Sequence, residues 1–403
     1  MDQTSSSGPA IRRETDLPFE SVVLIVGGMT MLITGALLFP IYQGTLPYYE
    51  NGLHGLLLII FALQMIALGK TPFGDMPRSK PLFLTGMLIA TVGMTTCFIP
   101  LFTPLPRILL ILCFGPGGLL LLLQMCFSKD KLPKWAAYGG IFRHLILSCA
   151  AVYGFSIVIG LLLWKQNLAS TRLTALSVLV FGAAILYLAV VLREIYRRYP
   201  QAQKNLPGDV ALSADRAMLI LVGLFMVILG VLLIPVSLGA LPFSESAQLG
   251  LLMVIFAVQM LAFGNTPIGP FPRRWLVTGL GLLFGGLGVV SCILPHVLVP
   301  SLTVLVGVLN LAGGIITLAK MWAERRRQPL PPGFAHPVLT RLFLTQLTLN
   351  ILAVMFGASM LLPGLVHGGI IGAILIANGG VLLYLIHLLT VVDRIRMDME
   401  GNP

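Results

Sequence analysis

The amino-acid sequence predicts an all-α, polytopic helical membrane protein of about twelve transmembrane helices, built as two parallel six-helix repeats. Of its 403 residues, 57% are hydrophobic and only 10% are charged, and the mean hydropathy is +0.95. Soluble domains carry about 25% charged residues. Because the bilayer interior offers backbone groups no water, only helices and closed barrels span it. Continuous apolar stretches of about 20 residues are typical of helices.

Twelve such stretches follow one another along the chain. They lie near residues 20–40, 53–69, 82–102, 107–127, 143–164, 172–192, 217–236, 248–264, 275–295, 300–321, 341–362 and 369–391. They divide the chain into an N-terminal tail (1–19), a first six-helix repeat (20–192), a linker (193–216), a second six-helix repeat (217–391) and a C-terminal tail (392–403). The polar start of the chain, with no small-residue cleavage site after the first stretch, predicts that this stretch is retained as a span.

The positive charges indicate the orientation of the chain. If the N-terminus is cytoplasmic, 23 of the 26 Lys and Arg residues lie on the cytoplasmic side, and only Arg107, Lys165 and Arg172 lie outside. This asymmetry follows the positive-inside rule and predicts a bacterial-type inner (plasma) membrane protein with both termini in the cytoplasm. The net charge of +11 is then explained by attraction to anionic lipids. Membrane lipids are therefore expected partners, and nucleic acid is not.

An internal repeat relates the two halves at an offset of 195 residues. It matches Gln64 to Gln259, Cys97 to Cys292, and the pair Thr71-Pro72 to Thr266-Pro267. Six spans per copy is an even number, so the two copies have the same orientation, as parallel repeats in transporters do.

Each half also shows a weaker, nested pattern of three helical hairpins. Pro40, Pro100 and Pro235 each stand at the outer end of an odd-numbered span and precede a glutamine by 24 residues. Small residues in the second helix of each hairpin allow close helix approach. This pattern of Gly and Pro resembles the HdeD-type acid-resistance membrane proteins, whose six-span domain has no assigned function. The resemblance implies a tandem duplication of that unit, without enzymatic activity and without catalytic residues to transfer.

The spans contain few groups that could carry chemistry. All fifteen Asp and Glu lie in tails, loops or span ends, whereas intramembrane carboxylates usually mark ion and proton pathways. Ion-driven transport is therefore disfavoured, and the sequence also lacks hydrolase motifs such as GxSxG and HExxH. His387 alone among the histidines lies deep in a span, whereas haem ligation in a bundle wants two. The sequence thus predicts a protein that is not an enzyme and holds no cofactor or metal.

Amides are the principal polar groups within the spans, and two interpretations of them stay open. They can bond across packed helices, which contributes about 0.6–2 kcal/mol each, or they can line a polar pathway. The recurrence of glutamine at one hairpin position favours the structural role. The candidate polar positions are Gln64, Gln124, Gln259, Asn310 and Asn378, together with His387.

A candidate helix break lies at Gly115, Pro116 and Gly117 in the fourth stretch. Proline inside a helix removes a backbone hydrogen bond, and transporters often place binding sites at such breaks. The equivalent stretch of the second repeat has no proline, which favours a local kink.

Two functions remain open from sequence. The first is a non-enzymatic structural, stress-protective or complex-subunit role, which predicts a sealed bundle and allows self-association or contact with other membrane subunits. The alternative is a facilitator or channel for a small neutral or lipidic solute. It predicts a path between the two halves, with Gln64, Gln259, Asn310, Asn378 and His387 around one shared cavity.

Overall fold

The structure, a computed structural model of the full chain, describes most of the protein. The described residues are 17–100, 104–165, 170–203, 213–266, 269–270, 275–327, 337–362 and 366–400. Most of the N-terminal tail and of the loop at 328–336 lies outside these ranges, as does Pro363.

Twelve helices in the described part are long and apolar enough to cross a membrane, so the predicted all-α, multi-pass fold class is confirmed. The first half comprises α1 (Phe19–Tyr42), α2 (Glu50–Leu68), β1 (Lys70–Thr71), β2 (Gly74–Asp75), α3 (Lys80–Phe98), α4 (Pro104–Phe127), the short helix α5 (Leu132–Tyr138), α6 (Ile141–Trp164), α7 (Thr171–Arg198) and a 3-10 turn (Pro200–Gln203). The membrane face on which α1 begins is called the N-side here, and the other face the far side.

The second half repeats this order of long helices and β-strands. It comprises α8 (Ala214–Ser237), α9 (Glu245–Phe263), β3 (Asn265–Thr266), β4 (Gly269–Pro270), α10 (Trp275–Ile293), α11 (Val299–Arg327), α12 (Pro337–Leu361) and α13 (Gly368–Glu400). The helices α8, α9 and α10 begin and end 195 residues after α1, α2 and α3. The two halves are therefore structural duplicates with the same chain direction.

Some helices extend beyond the apolar stretches that predicted them. The last helix of the first half, α7, continues to Arg198, six residues past the predicted end of its span. Glu194 accepts hydrogen bonds from Arg197 at 2.8 Å and from Arg198 at 2.7 Å. Pairs at this spacing support a helix in water, so α7 projects as a polar overhang on the N-side.

The closest helix packing refines the hairpin interpretation. In the first half α1 packs along α7, α2 along α3, and α4 along α6, and the second half repeats these pairs as α8 with α13, α9 with α10, and α11 with α12. Helices α1 and α2, which share an outer loop, touch less. Glycines line the tight seams: a Cβ at Gly55 would lie 2.4 Å from the carbonyl oxygen of Gly93. Small residues thus decide which helices approach, as expected in lipid.

The halves meet through their first three spans, around an approximate two-fold axis. The Tyr49 amide donates to the Ile293 carbonyl at 2.9 Å, and the Ser244 amide donates to the Phe98 carbonyl at 3.0 Å. These two bonds are related by the 195-residue offset. On the axis lies a cavity of only about 20 Å³. Its walls are Val23, Val26, Leu56, Ile59, Ile60, Leu63, Met218, Leu221, Leu251, Val254, Ile255 and Val258.

That axial cavity has room for about one water molecule and offers it no polar side chain among its lining residues. A buried water normally makes two to four hydrogen bonds to polar groups. At this cavity the seam between the halves is therefore dry and tightly packed, which gives no support to the solute path predicted there.

The predicted helix break in the first half is not present. Helix α4 runs without interruption from Pro104 to Phe127, with Pro116 inside it. The Ser156 hydroxyl of α6 donates to the Phe114 carbonyl at 2.8 Å, which links the two helices beside the proline. Membrane helices tolerate proline because neighbouring side chains satisfy the backbone groups around it.

Candidate ligand cavity in the first half

A cavity of about 310 Å³ lies inside the first half, enclosed by α1, α2, α4, α6 and α7. At its N-side end the walls include Glu20, Lys70 and Lys131, and at its inner end they include Phe114 and Phe181. Phe114 lies near the middle of α4, and Phe181 lies near the middle of the apolar part of α7. The cavity therefore extends from the N-side face to about the mid-depth of the helix bundle.

An ionic cluster stands at the mouth of this cavity. The Glu20 carboxylate accepts a hydrogen bond from the Lys70 ammonium through Oε1 and another, at 2.6 Å, from the Tyr196 hydroxyl through Oε2. The Glu20 side chain is 14% exposed and that of Lys70 is 39% exposed. Charge-assisted hydrogen bonds are the strong ones, so this cluster fastens α1, β1 and α7 together.

Local structure explains why these three residues converge. Glu20 lies in the first turn of α1, where the helix dipole stabilises a carboxylate. Gly69 ends α2 in the left-handed conformation, which turns the chain so that Lys70 begins β1. Tyr196 lies on the polar overhang of α7.

A second pair of opposite charges lies at the mouth. Asp75 in β2 is exposed, and Lys131, the residue before α5, is half-buried. Trp135 of α5 also lines the mouth. With two acidic and two basic side chains, the mouth is strongly polar but carries no net formal charge.

The loop between α2 and α3 is fixed by hydrogen bonds. Thr71 Oγ1 accepts from the Phe73 amide at 3.2 Å, and Gln124 Nε2 of α4 donates to the Phe73 carbonyl at 2.9 Å. The Arg78 guanidinium donates to the Ala67 carbonyl near the end of α2. Burial lowers the pKa of Arg78, but a guanidinium keeps its charge in proteins. This loop, in which β1 pairs with β2, is thus a small β-hairpin that forms a hydrogen-bonded rim.

The inner end of the cavity is apolar and aromatic. The Phe114 ring meets that of Phe61 edge-on at 5.3 Å between centroids and that of Phe181 at 5.8 Å. Both distances fit favourable aromatic pairs. Cys113 and Ser156 are the small polar side chains at this depth. The cavity therefore changes from an ionic mouth to a largely apolar interior.

The structure separates the candidate polar residues from one another. Gln64 lines the cavity. Gln124 bonds to the hairpin loop, as described above. Asn310 Nδ2 donates to the Val306 carbonyl of its own helix at 2.9 Å.

The remaining candidates lie in the second half. Gln259 is half-buried in α9, Asn378 is buried in α13, and His387 is exposed, with its ring 6.4 Å from that of Tyr384. None of the three is among the residues that line the first-half cavity. Of the residues predicted to share one cavity, Gln64 alone lines the first-half cavity.

The second half has the same frame but different residues at the positions of the ionic mouth. At the 195-residue offset, Glu20 corresponds to Asp215, Lys70 to Asn265 and Asp75 to Pro270. Gly27, which lines the cavity, corresponds to Val222. The second copy thus keeps the acidic residue of the mouth but not the cation of Lys70.

Sequence reasoning missed Glu20, Lys70 and Tyr196 because each lies at a span end, where charged residues are ordinary. Glu20 and Tyr196 are 176 residues apart, and no helical periodicity connects them. A signal was available in the duplication: the second copy keeps Thr266 but loses the adjacent cation, with Asn265 at the position of Lys70. A charged residue that is present in one repeat and replaced in the other is a candidate for a role beyond the helix packing that both repeats share.

Within the part of the chain that the structure describes, no three His, Cys, Asp or Glu residues cluster in a way that could hold a metal ion. The five cysteines, Cys97, Cys113, Cys126, Cys149 and Cys292, are free thiols. Cys97 and Cys292 are fully buried at equivalent places, and Cys97 Sγ donates to the Gly52 carbonyl at 3.5 Å. The positions of Cys97 and Cys292 fit the interpretation of cysteine as a small buried apolar residue.

Comparison of the chain with protein-family models, curated proteins and solved structures finds no match. The resemblance to HdeD-type proteins stays a prediction.

Proposed function

We propose that this multi-pass membrane protein is a non-enzymatic facilitator that takes a small amphipathic, lipidic molecule into the first-half cavity from the N-side. The observation that carries the proposal is the change along the cavity from an ionic mouth to an aromatic, apolar interior. A molecule with a polar head and an apolar body matches both ends. The distribution of positive charge supports an inner (plasma) membrane location with the N-side facing the cytoplasm.

Cavity size and polarity together favour this class of solute. A volume of about 310 Å³ is at the lower end of small-molecule sites, which span roughly 300–1,000 Å³. Such sites are mostly apolar, with a few polar groups that orient the ligand. An ion or a sugar would find Phe61, Phe114 and Phe181 at the inner end, with few groups to replace its water.

A structural or stress-protective role, as the HdeD resemblance implies, is the second candidate. The dry seam between the halves favours it, because a tightly packed centre suits a scaffold. In that case the first-half cavity would be an incidental gap and would show no saturable ligand binding.

Tryptophan quenching can test the proposal, because Trp135 lines the cavity whereas Trp275 is exposed in the second half. Two single-tryptophan variants of the full chain would each keep one of these residues, with the others of the four changed to Phe. Both would be titrated in detergent micelles with a brominated lysophospholipid, whose bromine quenches indole fluorescence on contact. We expect saturable quenching of Trp135 and a weaker, non-saturating effect on Trp275.

Filling the cavity supplies the matched control. Gly27 lies on the wall, and an added Cβ there would lie 3.8 Å from Ile60, so Gly27→Leu extends into the cavity. Gly154 of α6 has open space around it, so Gly154→Leu adds the same volume outside the cavity. Saturable quenching should be lost in the first variant and kept in the second. Equal quenching of Trp135 and Trp275, unaffected by Gly27→Leu, would refute the binding role.

A further inference from the structure

A second opening lies in the same half, on the far side. This groove has a volume of about 670 Å³, and its walls are Glu50, Asn51, Pro104, Arg107, Ile108, Ile111, Leu112 and Trp164. These residues come from the far-side ends of α2, α4 and α6. Arg107 gives the groove a cation, held in place because its Nε and a terminal nitrogen donate to the Leu163 carbonyl at 3.0 and 2.6 Å.

The groove and the N-side cavity approach each other most closely along α4. Leu112 lines the groove and the next residue, Cys113, lines the cavity. Along α2 and α6 the nearest lining residues of the two openings are six and eight residues apart, which is about 9 and 12 Å of helix. The aromatic cluster of Phe61, Phe114 and Phe181 lies at the cavity end of this barrier.

The backbone of α4 lacks one hydrogen bond beside this aromatic cluster. Pro116 lies in the next half-turn after Phe114 and lacks the amide that would bond to the preceding turn. Gly115 packs directly on α6, since a Cβ at Gly160 would lie 2.5 Å from the Gly115 Cα atom. Helix kinks occur mostly at proline, so bending of α4 at Pro116 would move Phe114 relative to Phe61 and Phe181.

We infer that the two openings are the ends of one path through the first half, closed by Phe114 acting as a gate and opened by bending of α4 at Pro116. The inference rests on the proposed function for the identity of the solute, an amphipathic molecule with its head at the ionic mouth. It places the path inside one six-helix repeat, whereas the seam between the repeats stays closed.

Thiol accessibility tests the path without any knowledge of the solute. Cys113 lies on the cavity side of the barrier, and Cys126→Ser with Cys149→Ser removes the exposed and the other cavity-lining thiol, leaving Cys97 and Cys292 fully buried. The full chain would be placed in vesicles of known orientation and treated from either face with a membrane-impermeant methanethiosulfonate carrying a sulfonate group. We expect Cys113 to react from the N-side and to be protected from the far side.

Phe114→Ala should then expose Cys113 to the far side, with reaction at least about tenfold faster than in the parent protein, as a shift of the open population predicts. Leu309 is an apolar residue of α11, the counterpart of α4 in the second half, so Leu309→Ala should leave the rate unchanged. Pro116→Ala should slow any residual far-side reaction, because it restores the missing backbone bond without removing the gate.

Two outcomes would overturn the path. One is continued far-side protection of Cys113 in Phe114→Ala while its N-side reaction, which reports a folded cavity, is unchanged. The other is far-side reaction that rises equally in Leu309→Ala. Because the reagent needs no lipidic ligand, the quenching titration can fail while this test succeeds, and the reverse also holds.

Discussion

The first and second halves share one frame and differ in what that frame encloses. Helices α1–α3 and α8–α10 have the same lengths at a constant offset, and equivalent glycines close equivalent seams. In the first half Glu20 bonds to Lys70 and Tyr196 at the ionic mouth, whereas the second half keeps the acid as Asp215 but has Asn265 in place of the lysine. The comparison indicates that duplication supplied a scaffold and that a few substitutions in one copy made or kept a site.

The largest effects on stability should come from the glycines in the tight helix seams, and these effects should be similar in both halves. A Cβ at Gly55 would lie 2.4 Å from the Gly93 carbonyl oxygen, and one at Gly250 would lie 2.5 Å from the Gly288 carbonyl oxygen. Overpacking of this kind costs about 1–3 kcal/mol, occasionally more. Gly55→Ala and Gly250→Ala should therefore both lower the midpoint of SDS-induced unfolding in mixed micelles, by similar amounts.

Glycines with open surroundings provide the control for that experiment. Gly154 and Gly279 have no other heavy atom near an added Cβ, and alanine is favoured over glycine inside a helix by roughly 0.5–1 kcal/mol. Gly154→Ala and Gly279→Ala should thus be neutral or stabilising. If Gly55→Ala and Gly250→Ala differed widely, the two halves would not be equivalent as scaffolds.

The number, order and orientation of the spans could be predicted from the sequence, because they depend on local signals. Apolar length, the placement of cations and the 195-residue repeat each concern neighbouring residues or a fixed offset, and together they predicted twelve spans in two parallel sets. Helix partners were less predictable. The seam between α1 and α7 depends on Gly28 and Gly182, which are far apart in the chain and resemble many other glycines.

The cavity was beyond sequence reasoning for a related physical reason. Gln64, a predicted candidate, does line it, but an amide within a span is compatible with packing as well as with a pathway. Glu20 became informative only when folding placed it between Lys70 and the overhang of α7. The direction in which a side chain points depends on the packing of five helices, and hydropathy carries no information about that direction.

The ionic mouth should respond to substitutions that remove its charges. Lys70→Asn introduces the residue found at position 265, and Glu20→Gln keeps the size of the side chain while removing its charge. A double-mutant cycle on the unfolding midpoint should give a coupling of about 1 kcal/mol, modest because Lys70 is 39% exposed. Each single variant should also weaken the saturable quenching of Trp135 described above.

The cycle isolates the ion pair from changes elsewhere. Glu194 and Arg198 form an exposed pair on the α7 overhang, at 2.7 Å. A cycle of Glu194→Gln with Arg198→Gln gives the coupling of a pair that closes no cavity, and it should leave Trp135 quenching unchanged. A coupling near zero between Glu20 and Lys70 would mean that the mouth is not held by charge.

The smallest effect should come from the hairpin rim. Gln124 Nε2 donates to the Phe73 carbonyl at 2.9 Å, and the equivalent position in α11, aligned by the Gly117-Gly118 and Gly313-Gly314 pairs, is Lys320. Gln124→Ala should cost about 0.5–1 kcal/mol, the usual net worth of a single hydrogen bond. The matching change in the second half, Lys320→Gln, places an amide on an exposed surface and should shift the unfolding midpoint little. If the two changes had equal and opposite effects, glutamine would stabilise either helix by itself, and the rim bond that distinguishes the first half would contribute nothing.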